Sequence, residues 1–355
     1  MPFVVARVDE RELDLPSGPV QERPVSYAAY FFPFTVLPST MWLYLAVILG
    51  LYFLRRWYRE RQTVEKLTEK YVFITGCDSG FGNQLAKQLD AKGLKVLAAC
   101  FTQKGAKELE RLTSDRLKTT ILDISNTESV VAATEWVKGI VGSKGLWGLV
   151  NNAGTGTHVA PNEWLTKDDF AKVINVNLLG LIDVTLHMLP LVRASRGRIV
   201  NMSSIGGRLI MLGGGYCLSK FGVEAFSDCI RRELQPFGVH VGIIEPGSFI
   251  TSIAVTSEEG LRSVWEKVPS DIKECYGQQY LEGYCQIFKD IIKGSNRNLH
   301  PVTDCMEHAL ISRYPRTRYG AGWDAKLYHI PLSYMPTFVA DYMVALTIPK
   351  PAQAV

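Results

Sequence analysis

Hydrophobic positions along this chain fall into two alternating patterns. Short, largely apolar runs at Tyr71–Thr75, Lys95–Cys100, Thr119–Leu122, Leu146–Val150, Gly197–Met202 and Val239–Ile244 read as strands buried on both faces. Between them lie longer stretches whose apolar residues recur three and four apart, among them Asn83–Lys92 and Tyr216–Phe237, and these predict helices. The alternation predicts an α/β fold, a doubly wound parallel sheet covered by helices on both faces, within a catalytic domain over residues 67–330.

A third pattern lies ahead of the first strand. No charged residue occurs from Pro24 to Leu54, and the apolar run Met41–Leu54 is closed by Arg55, Arg56, Arg59 and Arg61. Fourteen helical residues span only about 21 Å, whereas a bilayer core is about 30 Å thick. Either residues before Met41 lengthen the helix or it lies partly embedded. Arginines stand where a cleavage site would need small residues, so residues 41–62 are expected to form an uncleaved signal anchor contacting membrane lipid. Residues 1–40 read as an extension without an assigned role. The apolar run Tyr328–Ile348 makes the segment 331–355 a second candidate for membrane association.

Composition narrows the function. The 355 residues are 47% hydrophobic and 21% charged, which allows a sizeable core. The formal charge of +4 is spread among interspersed acids and bases, so no nucleic-acid surface is expected. Seven cysteines without a Cys-x-x-Cys pair read as mostly reduced, buried thiols, and six scattered histidines offer no metal-ligand spacing; no metal is expected.

The first strand runs into Gly76-Cys77-Asp78-Ser79-Gly80-Phe81-Gly82 and then a helix. In that order, backbone N–H groups and the helix dipole make an anion cradle, and the sheet reads as Rossmann-type. Ligands of such sheets bind beyond the carboxyl ends of the strands, where Gly76, Asp123, Asn152, Ser204 and Pro246-Gly247 fall. Tyr216 is the only tyrosine followed four residues later by a lysine, Lys220. On a helix the two share a face, so an ammonium can favour the ionised phenol and create a base.

Thr75-Gly76-x-x-x-Gly80-x-Gly82, Asn151-Asn152-Ala153-Gly154, Asn177, Ser203-Ser204 and Tyr216-x-x-x-Lys220 together resemble the short-chain dehydrogenase/reductase superfamily. Further segments, including Arg318-Tyr-Gly-Ala-Gly-Trp-Asp-Ala-Lys326, resemble its membrane-bound retinol and hydroxysteroid dehydrogenases, and the likeness extends from Met41 to Val355. The resemblance implies catalytic roles for Tyr216, Lys220, Ser204 and Asn177: proton acceptor, neighbouring cation and ribose ligand, donor to the substrate oxygen, and holder of a water linking Lys220 to solvent. It implies cofactor contacts from Gly76, Asp78, Ser79, Gly80, Phe81, Gly82, Asp123, Asn152, Ala153, Gly154, Tyr216, Lys220, Pro246, Gly247 and Thr251. Ser204 precedes Tyr216 by 12 residues where many members have 13, which leaves Ser203 as its rival.

Cys77-Asp78-Ser79 and Cys100-Phe101-Thr102 hold no cation for a 2′-phosphate, so NAD is the expected cofactor. The family's substrate lid corresponds to residues 252–300, where Tyr276, Tyr280, Tyr284 and Phe288 recur every four residues as a stripe better suited to helix packing than to ligand contact. Ser248 and Ile250 depart from the residues expected in near relatives. Asn201-Met-Ser203 is the sole glycosylation sequon and, on a buried strand, is expected to be unused. These features imply NAD-dependent oxidation of a steroid hydroxyl, 3-alpha or 17-beta, or of retinol, at the endoplasmic reticulum membrane, in a monomer or homo-oligomer. The alternatives are retinol oxidation as main activity and a non-catalytic, membrane-tethered NAD-binding scaffold.

Overall fold

A computed structural model describes residues 39–156, 159–251 and 258–354. Its centre is one seven-stranded, all-parallel sheet in the order β3-β2-β1-β4-β5-β6-β7. The strands are β1 Tyr71–Thr75, β2 Lys95–Cys100, β3 Lys118–Ile121, β4 Gly148–Asn151, β5 Arg198–Met202, β6 His240–Pro246 and β7 Arg318–Ala321. Six were expected, two of them, β4 and β6, with one end shifted by two residues. The seventh was not, because Arg-Tyr-Gly-Ala is short and carries neither an apolar run nor a β-branched residue.

The helices are α1 Ser39–Glu60, α2 Gly80–Ala91, α3 Gln103–Arg111, α4 Thr127–Val141, α5 Lys167–Ile174, α6 Leu181–Ala194, α7 Gly215–Leu234, α8 Glu258–Lys267, α9 Ser270–Tyr276, α10 Gln278–Gly294, α11 His300–Ile311, α12 Ile330–Leu332 and α13 Thr337–Ala345. Two apolar cores form on opposite faces of the sheet. One gathers Val72, Ile74, Leu85 and Leu89 with Met306 and Leu310 of α11. The other joins Phe73 and Leu149 to α4 and α6 through Val137, Val184 and Met188.

Helix α2 starts at Gly80, three residues earlier than the apolar periodicity indicates, so part of the glycine motif is itself the first helical turn. Helix α1 has 22 residues, about 33 Å at 1.5 Å each, and reaches that length mainly by continuing through Arg55–Glu60. Residues 1–38 lie outside the described residues, as do 252–257 at the start of the expected lid. Among the described residues, one helical run passes a length-and-composition test for crossing a membrane: Lys167–Ala194, which is α5, a π-helical turn at Asn175–Gly180 and α6. That run packs within the domain, where Val184, Met188 and Val192 belong to the second core.

The aromatic stripe proves to be a packing device. Trp164 lies 5.3 Å from the Tyr276 ring, 5.8 Å from Tyr280 and 4.6 Å from Trp265, which makes a third core under α8–α10. Phe288 alone of the stripe reaches the central cavity.

Candidate active site

The carboxyl ends of β1 and β4 are stitched together by side chains. Thr75 Oγ1 accepts from the backbone N–H groups of Asn152 and Ala153, each at 3.0 Å, and Asn152 Nδ2 donates to the carbonyls of Thr75 (2.9 Å) and Gly76 (3.1 Å). Such close approach needs glycine. A Cβ on Gly76, whose φ is +71°, would stand 2.8 Å from Ala153 Cα, and one on Gly82 would stand 2.5 Å from Asn152 Nδ2. Gly80 and Phe81 then open α2 toward a cavity of about 1310 Å³, with Gly82 buried behind them.

Asp78 and Asp123 line that cavity with part of their acceptor capacity already used. Asp78 accepts from Phe101 N (2.7 Å), Thr102 N (2.9 Å) and Thr102 Oγ1 (2.7 Å), which holds the loop after β2 against the glycine motif. Asp123 Oδ1 accepts from Ser125 N and Oγ at 2.9 and 2.6 Å. Thr75, already part of the glycine motif, and Thr102 are therefore structural partners of the site through bonds that spacing does not reveal.

Asn177 sits in the π-helical turn between α5 and α6, a local rearrangement often found at functional positions. Its Oδ1 accepts from Thr155 N at 2.7 Å, and its Nδ2 donates to Thr155 O at 2.8 Å and to Ser219 Oγ at 3.1 Å. This side chain thereby fastens the Asn151–Thr155 loop to α7.

Helix α7 brings Tyr216 and Lys220 to the cavity. Lys220 is buried, donates from Nζ to Met202 O at 2.8 Å, and lies 5.7 Å from the Tyr216 ring centroid. Burial pulls the lysine down to about 8, against the opposing field of Glu224. Burial also pushes the half-buried Tyr216 phenol up from its ordinary value, and a hydrogen bond with Ser204 opposes it in part. Desolvation is the largest influence on the phenol and favours its protonated form.

Of the two serines, Ser203 is turned away: it donates to Lys220 O at 3.4 Å. Ser204 faces Tyr216. A Cβ on Gly206 would lie 3.5 Å from Ser204 Oγ and 3.6 Å from Tyr216 Cε1, so both flank one point. Asn201 of the sequon is buried and donates to Ser227 Oγ at 2.8 Å, which leaves no room for a glycan.

Strand β6 runs through Pro246, two residues past its expected end, and Gly247 follows it. Ser248 N donates to Asp324 Oδ2 at 2.6 Å, the Phe249 and Phe81 rings meet edge to face at 5.7 Å, and Thr251 approaches Gly80. This strap crosses the glycine motif. The far end of the cavity is apolar, walled by Ile287 and Ile291 of α10 and by Val344 and Ile348 at the end of the chain.

Residues 70–262 match the profile of the short chain dehydrogenase family. The chain belongs to that family. It is 59% identical over 317 residues to human 17-beta-hydroxysteroid dehydrogenase type 6, covering 89% of this chain and all of the relative. It is 58% identical over 316 residues to mouse retinol dehydrogenase 16, covering 88% of this chain and all of that protein. Among solved structures, a short chain dehydrogenase/reductase from Burkholderia phymatum in complex with NAD aligns with a TM-score of 0.61 at 20% identity, covering 81% of this chain and 97% of that one. At that identity it attests the fold.

Because Thr75 Oγ1 serves two backbone donors in this short chain dehydrogenase, Thr75→Val orphans both. The expected loss is about 2–4 kcal/mol of unfolding free energy, taken as roughly 1–3 kcal/mol per unsatisfied buried donor with partial relaxation. Urea denaturation checks it, and an unchanged midpoint would contradict the stitch.

Proposed function

We propose that this dehydrogenase oxidises the hydroxyl of a hydrophobic alcohol with NAD as cofactor, the alcohol being a 3-alpha- or 17-beta-hydroxysteroid, with retinol as the second substrate class. One observation carries the reading: Tyr216, with an ammonium one helical turn away, stands where a glycine-lined cradle meets an apolar chamber. The names of the hydroxysteroid and retinol dehydrogenase relatives support the substrate class.

The cradle fits a dinucleotide. Ser79 and Gly80 line the cavity at the amino end of α2, where a pyrophosphate is held by N–H groups and the helix dipole. Asp78, Phe101 and Thr102 line the adjoining wall; a carboxylate there favours a free ribose over a 2′-phosphate, which supports NAD. Asp123, Asn152, Ala153 and Gly154 would continue the cofactor wall, with Pro246, Gly247 and Thr251 as its strap. When bound, NAD supplies the acceptor for the hydride leaving the carbinol carbon.

The chain's own residues manage the proton. Tyr216 Oη takes the hydroxyl proton, Ser204 donates to the substrate oxygen as it becomes a carbonyl, and Lys220 supplies the positive charge beside the phenol. Asn177 is assigned the water that links Lys220 to solvent. Below its raised pKa Tyr216 keeps its proton, so the base form grows with pH.

The endoplasmic reticulum membrane is the proposed site of action. Helix α1 exposes Trp42, Leu43, Ile48 and Phe53, and α13 carries Phe338, Tyr342 and Leu346 outward at intervals of four while Val344 lines the cavity. A helix apolar on both faces suits contact with lipid.

Alkaline carbonate extraction is expected to leave the protein in the membrane pellet, and release into the supernatant would contradict the anchor. Assayed with NAD and the hydroxysteroids, oxidation is expected to keep rising with pH toward about pH 10, since the raised phenol leaves the base form scarce below that; a rate that falls between about pH 6 and about pH 8 would overturn the assignment of the base. In the same assay Tyr216→Phe is expected to lower kcat by at least about 100-fold, the lower range of general-base contributions, with NAD binding retained. Undiminished turnover would sink the reading.

A further inference from the structure

The cavity wall holds a further polar side chain that the proton transfer leaves unused, His329. It closes a π-helical turn, Ala325–His329, shortly after β7; such turns recur at functional positions. Its Nδ1 lies 3.2 Å from the carbonyl oxygen of Asp324, five residues back. A carbonyl only accepts, so Nδ1 carries the proton and Nε2 keeps a bare lone pair. Burial favours this neutral ring by lowering its pKa, while the bond with Asp324 opposes that in part.

The lone pair is open to a ligand. His329 is only 9% exposed, and among the described residues nothing hydrogen-bonds its Nε2. That atom is nonetheless not one of the sealed, unpartnered atoms of the interior, so the space that reaches it is the cavity its ring lines. A largely buried acceptor without a donor is costly, and a ligand that brings the donor removes that cost.

Two contacts place the ring on the substrate side. Asp324, which holds Nδ1, also accepts from Ser248 N at 2.6 Å and packs so closely on Gly247 that no side chain fits there, which ties His329 to the start of the strap after β6. The strap meets the cradle further along, where Phe249 and Thr251 approach Phe81 and Gly80. Five residues beyond His329, the Tyr334 ring lies 4.9 Å from the guanidinium of Arg208, just past Ser204 and Gly207. Residues 324–334 therefore run from the strap to the loop beyond Ser204, with Leu332 and Leu209 lining the cavity beside them.

We infer that His329 is a specificity-determining residue: its Nε2 accepts a hydrogen bond from a second hydroxyl of the substrate, remote from the one being oxidised, so that the chamber selects a dihydroxysteroid. A hydroxyl brings the donor that a neutral imidazole nitrogen lacks. A ketone at that position would set lone pair against lone pair, and the hydrocarbon end of retinol would leave Nε2 unpaired. Sites built around one hydrogen bond reject analogues that cannot make it.

The inference rests on the proposed alcohol oxidation, and the test separates the two. Full-length protein in detergent is assayed with NAD and three steroids that share a 3-alpha-hydroxyl and differ at carbon 17: androstanediol with a hydroxyl, its 17-methyl ether, and androsterone with a ketone. The kcat/KM for the diol is expected to exceed the other two by about 10-fold, the scale of one neutral hydrogen bond. His329→Phe is expected to abolish that advantage without raising KM for NAD. Equal kcat/KM for the three steroids in wild type, or a diol advantage that survives in His329→Phe, overturns the inference. So does a variant whose only change is a higher KM for NAD, which would give Nε2 to the nicotinamide amide. If the variant does not fold, the wild-type comparison of diol with methyl ether decides. A wild-type protein that oxidises none of the three, nor all-trans retinol, fails the earlier reading instead.

Discussion

One buried ammonium sets the terms for the rest of this structure. Lys220 is taken out of water inside the domain, and its Nζ is bonded to the carbonyl of Met202, the last residue of β5. A buried cation needs fixed partners, and here they dictate local sequence. Strand β5 must stop at Met202, the chain must turn at once through Ser203 and Ser204, and Gly206 and Gly207 must be small enough for α7 to lie against that turn. Tyr216 is then placed by helix geometry alone, one turn ahead of the lysine.

The same economy operates at the other end of the cavity. Thr75, Gly76, Gly82 and Asn152 draw β1, α2 and the loop after β4 so close together that side chains larger than hydrogen have no room at either glycine. The cradle and the Tyr216 turn are both built at strand ends, on a sheet whose parallel pairing is buried on both faces. A rigid platform of this kind can hold reacting groups in place without being saturated by them. Helices α8–α10 have their own small core around Trp164, so they can vary without disturbing the platform.

Much of this was legible beforehand because it is local. Strands buried on both faces announce themselves as apolar runs, and the Gly76–Gly82 and Tyr216–Lys220 spacings carry their chemistry in the residues themselves. What was not legible depends on distant pairing. Strand β7 is recognisable only once β6 offers it an edge, and Asp324 matters only because it meets Ser248 N from far along the chain. Val344 and Ile348 read as part of a membrane-seeking tail, yet they wall the cavity. Asp78 and Asp123 were expected as cofactor ligands; their bonds to Thr102 and Ser125 give them loop-holding work visible only in three dimensions. The spacing of Tyr216 and Lys220 reveals a neighbouring charge but not the desolvation that raises the phenol.

Burial raises the Tyr216 phenol in the free chain and so favours its protonated form. The direct measurement is 13C NMR of tyrosine labelled at Cζ in the ligand-free protein, with the Tyr216 signal assigned by its loss in Tyr216→Phe. This signal is expected to show no ionisation below about pH 10, the ordinary tyrosine value. A Tyr216 phenolate present in the free protein near about pH 7 would contradict it.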